Sequence, residues 1–130
     1  MKRTMLKSKI HRARLTETRL DYEGSITIDG GLLKAADMLP GEQVHVLNTA
    51  NGSRIVTYAI EAPGGSGAVV LNGPAARMGM VGDEVIVLAY GTFDDDDADC
   101  WRPRVILVDE ENRICQTLSP GLGENHETIS

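Results

Sequence analysis

Gly24 and Ser25 form a pair that can do chemistry on the peptide backbone itself. In a strained backbone, a serine hydroxyl can attack the preceding carbonyl carbon, and the amide then becomes an ester. Glycine admits unusual backbone angles and leaves its carbonyl uncrowded. β-Elimination of the ester would release the upstream chain and leave dehydroalanine, which hydrolyses to a pyruvoyl group and ammonia. Because Gly-Ser is also a common loop dipeptide, the pair predicts this chemistry only in company with other site residues.

Arg54 and Tyr58 form a second candidate pair. Side chains alternate along a strand, so these two residues share one face of the run from Arg54 to Ile60, and Thr57 points to the other face. A guanidinium binds a carboxylate in a fork, and a tyrosine hydroxyl can pass a proton to a developing carbanion. The alternative is an exposed arginine and an amphipathic tyrosine on the rim of a barrel.

A third candidate is the segment Asn72-Gly73-Pro74-Ala75, which follows a strand-like run and opens a short helix. Pro74 stands in the first helical turn, where proline is tolerated. Backbone N–H groups at such a start can bind an anion, and small side chains let it approach closely. An ordinary strand-to-helix turn is the alternative interpretation.

Other familiar active-site patterns are missing from the sequence. There is no G-x-S-x-G motif, and His11, His45 and His126 stand in contexts that do not suggest a serine hydrolase base. The glycine-rich stretch 64–67 lacks the lysine of a phosphate-binding loop. The aspartate run 94–99 lacks the alternating ligands and glycine of a calcium loop and is interpreted as a solvated face. We therefore expect no bound metal.

Composition indicates one compact domain without a nucleic-acid or membrane partner. The chain has 130 residues, 42% of them hydrophobic, and a net charge of −6, which repels a phosphate backbone. Residues 1–23 are the exception, with seven lysines and arginines. Cys100 and Cys115 fit no disulfide framework or metal motif. Without a signal-like or membrane-length apolar run, we expect a cytoplasmic protein.

The elements that must position these residues are mostly strands. β-Branched runs bounded by turns predict a mainly β domain, and Asn51-Gly52 suits a hairpin turn. Short helices are expected at Leu32 to Met38, around Ala75 to Met78, and at the aspartate run. The predicted strands are 3–14, Glu42 to Asn48, Arg54 to Ile60, Ala68 to Leu71, Glu84 to Tyr90, and Arg104 to Val108.

A short internal sequence repeat suggests how these strands are arranged. Residues 39–47 (LPGEQVHVL) resemble residues 80–88 (MVGDEVIVL), each with a glycine turn, an acid and then a strand. Two such units favour a pseudo-twofold closed barrel, and a double-psi β-barrel fits. The domain is expected to span 1–118, with 119–130 as a flexible tail.

Taken together, the motifs resemble those of the bacterial aspartate 1-decarboxylase family. The resemblance covers roughly residues 1–118, and the motifs occur in the family's order. At Pro74 the family commonly has alanine, and the proline removes one backbone donor. The matching motifs are Arg3-Thr4-Met5-Leu6, Lys9, Tyr22-Glu23-Gly24-Ser25, Asn51-Gly52, Arg54, Thr57-Tyr58-Ala59-Ile60, Asn72-Gly73 and Trp101-Arg102-Pro103.

The resemblance implies a homotetrameric double-psi β-barrel with its active sites between subunits. It implies self-cleavage into residues 1–24 and 25–130, with Ser25 becoming a pyruvoyl group that takes the place of pyridoxal phosphate. That group would form a Schiff base with L-aspartate, and decarboxylation would yield β-alanine for pantothenate biosynthesis. Whether a maturation factor assists the cleavage is left open.

The resemblance also implies roles for individual residues. Tyr58 would protonate the carbanion, and Lys9 and Arg54 would hold the substrate carboxylates. Thr57 would bind substrate and orient the Gly24 carbonyl during maturation. The pocket would be completed by Asn72, by the backbone of Gly73, Pro74 and Ala75, and by Tyr22 as a lining residue.

Two alternatives from other functional classes stay open at this point. A non-catalytic β-barrel could bind DNA through the basic residues 2–14. A structural homologue could keep the barrel and never mature. The DNA-binding barrel would have a basic face without the set of Arg54, Tyr58 and Asn72, and the structural homologue would remain a single uncut chain.

Overall fold

A computed structural model describes residues 1–121 as one strand-rich body, which confirms the mainly β prediction. Of the expected tail at 119–130, residues 122–130 lie outside the described part. The strands are β1 Lys2–Arg14, β2 Glu17–Arg19, β3 Ser25–Asp29, β4 Gln43–Asn48, β5 Arg54–Ala62, β6 Val69–Asn72, β7 Glu84–Asp94, β8 Arg104–Val108 and β9 Ile114–Leu118. The helices are α1 Gly30–Ala35, a 3₁₀ helix Gly73–Met78, and α2 Asp95–Asp99.

The strands form one sheet in the order β2-β6-β3-β5-β4-β7-β1-β8-β9. The link between β1 and β2 closes this sheet on itself. Leu15 donates its N–H to the carbonyl of Asp83 at 2.9 Å and accepts from Gly82 at 2.8 Å, just before β7. The next residue, Thr16, donates to the carbonyl of Val69 on β6 at 2.8 Å. A short stretch of chain therefore joins two strands that lie far apart in the sheet order.

Alternating side chains place the hydrophobic core on one face of this sheet. Ile10, Val87 and Val46 occupy one cross-strand row and are 0–2% exposed. Ile26 and Leu71 form another buried cross-strand pair where β3 lies next to β6. Full burial of one such side chain stabilises the fold by about 1.5–3 kcal/mol. Because the period is two, the neighbouring residues must face outward, and several candidate site residues are among them.

The internal sequence repeat forms two turns of the same structure. Gly41 and Gly82 both have positive φ, +87° and +94°. In each turn the acid that follows, Glu42 or Asp83, accepts through its side chain from the N–H three residues before it, at 3.0 and 2.9 Å. The strands that follow these turns, β4 and β7, pair antiparallel. The repeated sequence thus encodes the same local structure twice.

The predicted element boundaries shift where side chains cap or pair with the backbone. Helix α1 spans Gly30–Ala35 rather than Leu32 to Met38, because the Asp29 carboxylate accepts from Gly31 and caps the helix there. Strands β2 and β9 were not predicted, since β2 is a three-residue polar segment and β9 is mostly exposed. The Asn51-Gly52 hairpin turn is confirmed between β4 and β5. No helix within residues 1–121 is long and apolar enough to span a membrane.

Candidate active site

Ser25 and Asn72 meet where β3 begins and β6 ends. The two residues are antiparallel cross-strand partners, and both are 0% exposed. The Asn72 amide donates from Nδ2 to Ser25 Oγ at 3.0 Å. Ile26 and Leu71, the next pair in the register, point into the core, so Ser25 and Asn72 project from the opposite face. The 3₁₀ helix begins directly after Asn72.

The Asn72 amide is only partly satisfied within residues 1–121. Its second N–H donates to Thr27 Oγ1 at 2.9 Å, so both amide hydrogens are used. Its carbonyl oxygen, Oδ1, is buried and has no partner. An unpaired acceptor in a buried site costs free energy unless a donor arrives. The site therefore has an unpaired hydrogen-bond acceptor next to Ser25, which can bind a donor such as an amine or a hydroxyl.

The segment that leads into Ser25 folds tightly over the start of the 3₁₀ helix. Ser25 donates its hydroxyl to the carbonyl of Glu23 at 2.9 Å. A Cβ placed on Gly73 would lie 2.5 Å from the Tyr22 carbonyl oxygen and 2.7 Å from the Gly24 nitrogen. On Gly24, a Cβ would meet Pro74 at 3.5 Å. The structure thus brings the predicted cleavage site and the predicted anion-binding backbone into direct contact.

Tyr58 lies on the same outward face. Its neighbour Ala59 is 1% exposed and pairs with core residue Ile26, so Tyr58 projects away from the core, as Ser25 does. Burial of the hydroxyl, followed by a hydrogen bond to Glu23 and the charge of that carboxylate, raises the pKa of Tyr58. A phenol is protonated at neutral pH even without this shift, so Tyr58 carries a proton that it can donate.

The predicted cations, Lys9 and Arg54, lie farther along the outer side of the sheet. Lys9 pairs with Leu88, Leu88 pairs with His45, and His45 pairs with Val56. These four residues form one cross-strand row, so their side chains share a face. Arg54 joins this face two residues from Val56 on β5. We call this surface the cationic face; it consists of Lys9, His45, Arg54, Val56, Leu88 and Tyr90.

Two neighbours hold the Arg54 guanidinium on this face. Arg54 donates from Nε to His45 Nδ1 at 3.3 Å and from a terminal nitrogen to the Tyr90 hydroxyl at 3.0 Å. The rings of His45 and Tyr90 meet edge to face, with centroids 4.9 Å apart. Nearby, desolvation lowers the pKa of Lys9. Val56 remains 54% exposed, so the face is open to a partner.

Within one chain, the cations and the serine form separate groups. No hydrogen bond or ion pair among residues 1–121 links Lys9 or Arg54 with Ser25 or Asn72. Tyr58 shares a face of β5 with Arg54, but the two residues are four positions apart along the strand, so their Cα atoms lie about 13 Å apart. One chain therefore presents Ser25 and the two predicted cations at two different places.

The remaining predicted residues take less direct positions. Thr57 faces the inner side of β5, opposite Tyr58, and its cross-strand partner is the core residue Val44. Ala75 packs against the core. Tyr22 is 48% exposed, and its carbonyl abuts Gly73.

Four residues at these two places were not predicted from the sequence as site residues. Thr27 binds Asn72, Glu23 adjoins Tyr58, and the pair His45 and Tyr90 holds Arg54. Alternation along β3 places Thr27 beside Ser25 and could have identified it. The others depend on contacts between segments distant in sequence.

The described residues contain no candidate metal centre and no disulfide. In 1–121 no three or more His, Cys, Asp or Glu side chains cluster so as to hold a metal. Cys100 and Cys115 are exposed and unbridged. The site can instead support acyl transfer to Ser25 Oγ, because this hydroxyl is buried, oriented by two hydrogen bonds, and adjacent to a glycine carbonyl.

Comparison with known proteins finds one family of similar sequences. The family model described as aspartate decarboxylase matches residues 1–115. The aspartate 1-decarboxylase of Dehalococcoides mccartyi is 53% identical over 95% of this chain and 99% of its own length. That of Syntrophobacter fumaroxidans is 55% identical over 94% and 96%, respectively. Aspartate 1-decarboxylase 2 of Gloeobacter violaceus is 58% identical over 88% and 91%.

Proposed function

This chain belongs to the aspartate decarboxylase family, and we propose that it makes its own catalytic group by cutting the backbone between Gly24 and Ser25. The chain is an aspartate 1-decarboxylase, which converts L-aspartate into β-alanine and carbon dioxide. Its fold is the family's double-psi β-barrel. A non-catalytic DNA-binding or structural barrel is not favoured by relatives that carry this name. In the cell, we expect the product to enter pantothenate biosynthesis in the cytoplasm.

The cleavage uses the hydroxyl that Asn72 and the Glu23 carbonyl orient. Ser25 Oγ bonds to the Gly24 carbonyl carbon, the C–N bond breaks, and the hydroxyl proton ends on the freed amine. Loss of the Ser25 Cα proton then breaks the Cβ–O bond, which releases Gly24 as a carboxylate and leaves dehydroalanine. One water converts dehydroalanine into the pyruvoyl group and ammonia, giving chains 1–24 and 25–130. The observation that carries this proposal is the buried Asn72–Ser25 hydrogen bond at 3.0 Å.

The surroundings of Ser25 fit a pyruvoyl group and an amino-acid substrate. When formed, the group supplies an electron sink for the bond to the departing carboxylate, without pyridoxal phosphate or metal. Asn72 Oδ1, buried and unpartnered, can accept from the substrate amine. Tyr58, whose pKa is raised, delivers the proton that replaces carbon dioxide. The Gly73 to Ala75 backbone can donate to a carboxylate except at Pro74. Thr57 faces the other side of β5 from Tyr58, so we propose for it only the role of orienting the Gly24 carbonyl before the cut.

The substrate carboxylates are held by Lys9 and Arg54 of a neighbouring subunit in a homotetramer. L-Aspartate carries two carboxylates, so the site must supply cations to an otherwise acidic protein. Within one chain, neither cation bonds with the Ser25 group, whereas both lie on an exposed face of the sheet. Docking this face against the Ser25 region of another copy completes the set, and Tyr22, half exposed, lines the junction.

Intact mass of the purified protein tests the cleavage. We expect two chains split after Gly24, the larger of which begins with a pyruvoyl group and lacks a free amino terminus. Ser25→Ala should leave a folded, uncut and inactive chain, because alanine has no attacking hydroxyl. Ser66→Ala, in an exposed loop, is the matched control and should cut normally. β-Alanine production by the uncut Ser25→Ala chain would contradict the proposal.

Cutting of the purified wild-type chain over time also tests for a maturation factor. A chain that cuts fully alone needs no helper. A chain that cuts only after addition of cell extract requires one. An intact chain under both conditions would count against self-cleavage.

Mixed oligomers test the shared site. Arg54→Ala and Ser25→Ala chains are each inactive or weakly active, but co-expression brings an intact Ser25 beside an intact Arg54 from the other copy. With random assembly, about a quarter of the sites are whole, and activity recovers to about that level. Activity no higher than that of the two single variants would place both residues in the same chain.

A further inference from the structure

Gly73 touches the segment that must be cut. A Cβ built on this residue would lie 2.5 Å from the Tyr22 carbonyl oxygen, 2.7 Å from the Gly24 nitrogen and 3.0 Å from the Glu23 carbonyl carbon. All three neighbours are backbone atoms, so no side-chain rotation can relieve the contact. Substitution at Gly73 therefore has to move the backbone on one side of this contact.

Backbone conformation alone does not explain why residue 73 is a glycine. Gly73 has φ of +63°, in the left-handed region. The same chain holds Asn112 at φ +61° and Asp37 at φ +55°, both with side chains. Asparagine and aspartate tolerate this region. The feature that excludes a side chain at 73 is the close approach of residues 22–24.

We propose that Gly73 is a positioning residue for self-cleavage: the uncut chain has no room for a side chain there while Gly24 and Ser25 hold their reactive geometry. The inference rests on the proposed self-cleavage. Ordinary carbon–oxygen contacts are about 3.3 Å or longer, so a Cβ would displace the Tyr22 carbonyl by roughly 0.8 Å. The adjacent Glu23 carbonyl accepts the Ser25 hydroxyl at 2.9 Å and would move with it. Misplacement of reacting groups by about 1 Å can slow a reaction about 100-fold.

The first experiment compares Gly73→Ala with Gly52→Ala in the full chain. Gly52 has a similar φ of +74°, and a Cβ there meets nothing within 4 Å. Both variants therefore carry a similar backbone strain, and only one carries the contact. Cutting is followed by intact mass after synthesis, alongside the melting temperature. We expect Gly73→Ala to cut about 100-fold more slowly and Gly52→Ala to cut at the wild-type rate.

A second pair of variants removes most of the backbone strain. Gly73→Asn and Gly52→Asn place a residue that tolerates positive φ at each position. Gly73→Asn keeps the same Cβ contact and should also cut about 100-fold more slowly, even if Gly73→Ala proves too unstable to purify. Amide exchange at residues 22–24, measured in a Ser25→Ala background, should be faster with Gly73→Asn than with Gly52→Asn. This readout reports the displaced segment rather than global stability.

The outcomes separate this inference from the proposal beneath it. If wild type cuts and Gly73→Asn cuts equally fast, Gly73 is not needed for positioning, and self-cleavage stands. Slow cutting of Gly73→Asn with unchanged exchange at 22–24 would also overturn the inference, because the segment would not have moved. If wild type itself never cuts, self-cleavage fails, and this inference fails with it.

Discussion

The side-chain amide of Asn72 donates to the hydroxyl of Ser25 at 3.0 Å in a pocket where both residues are fully buried. The same hydroxyl donates to the Glu23 carbonyl at 2.9 Å, so its proton points to a known acceptor. Since the second Asn72 N–H is taken by Thr27, the amide cannot rotate without losing a bond. The orientation of Ser25 therefore depends on a residue two positions farther along β3.

Thr27→Val tests this dependence. Valine keeps the shape of threonine but cannot accept from Asn72, so one amide hydrogen becomes unpaired and the amide is free to turn. We expect cutting to slow about threefold to tenfold, the equivalent of one neutral hydrogen bond. Time-resolved intact mass measures the rate. Thr18→Val, on β2, removes no side-chain hydrogen bond that the structure shows within residues 1–121, and it is the control. Equal rates for both variants would mean that Thr27 does not orient the site.

Tyr58→Phe separates maturation from turnover. The variant lacks the phenolic proton but keeps the ring, so we expect the chain to be cut as in wild type. Decarboxylation should fall by about 10²- to 10⁴-fold, the usual contribution of a general acid. Mass spectrometry measures cutting, and carbon dioxide release per cut chain measures turnover. Unchanged turnover would remove Tyr58 as the proton donor.

Much of the fold could be predicted because its strands carry strong local patterns. The β-branched runs that become β4, β5, β7 and β8 favour strands, and the repeated glycine-acid turns mark where β4 and β7 begin. Strand β2 carries no such pattern. It is a strand only because β6 pairs with it. Local composition does not predict which distant segments pair.

The candidate site, like the fold, could be predicted only in part. Ser25, Tyr58 and Asn72 stand in motifs that resemble a known family, and the structure places these three on one face of the sheet. The roles of His45 and Tyr90 depend on strands β4 and β7 lying next to β5 and β1, and a residue-by-residue search does not reveal that. Long-range register, rather than residue type, limits prediction here.

Tyr90→Phe tests whether the cationic face holds Arg54 ready for substrate. The Tyr90 hydroxyl accepts from the guanidinium at 3.0 Å, and phenylalanine removes only that oxygen. A loosened Arg54 binds a carboxylate less well, so we expect KM to rise about threefold to tenfold with kcat little changed. Steady-state kinetics on fully cut enzyme separate the two constants. Ser66→Ala, in an exposed loop, is the control. A fall in kcat alone would contradict this role.

Asp29 should make the stability of the barrel depend on pH. Its carboxylate is buried and accepts from Gly31 at 2.7 Å, Gly65 at 3.1 Å and Gly67 at 2.8 Å, which ties the end of β3 to a neighbouring loop. Burial by itself raises the pKa of Asp29, but the backbone hydrogen bonds outweigh it and hold the pKa below its ordinary value.

A carboxyl group with a depressed folded-state pKa stabilises the fold above its unfolded pKa of about 3.9, and this contribution is lost as pH falls through the folded pKa. Asp29→Asn should therefore lower the free energy of unfolding by about 1–3 kcal/mol at pH 7, because an amide cannot accept from all three donors. The difference from the parent should shrink below about pH 4. Denaturant unfolding of uncut Ser25→Ala chains at several pH values measures it, with Asp21→Asn, at an exposed position, as the control. A deficit that stays constant down to pH 2 would show that the charge of Asp29 is not the source of the stabilisation.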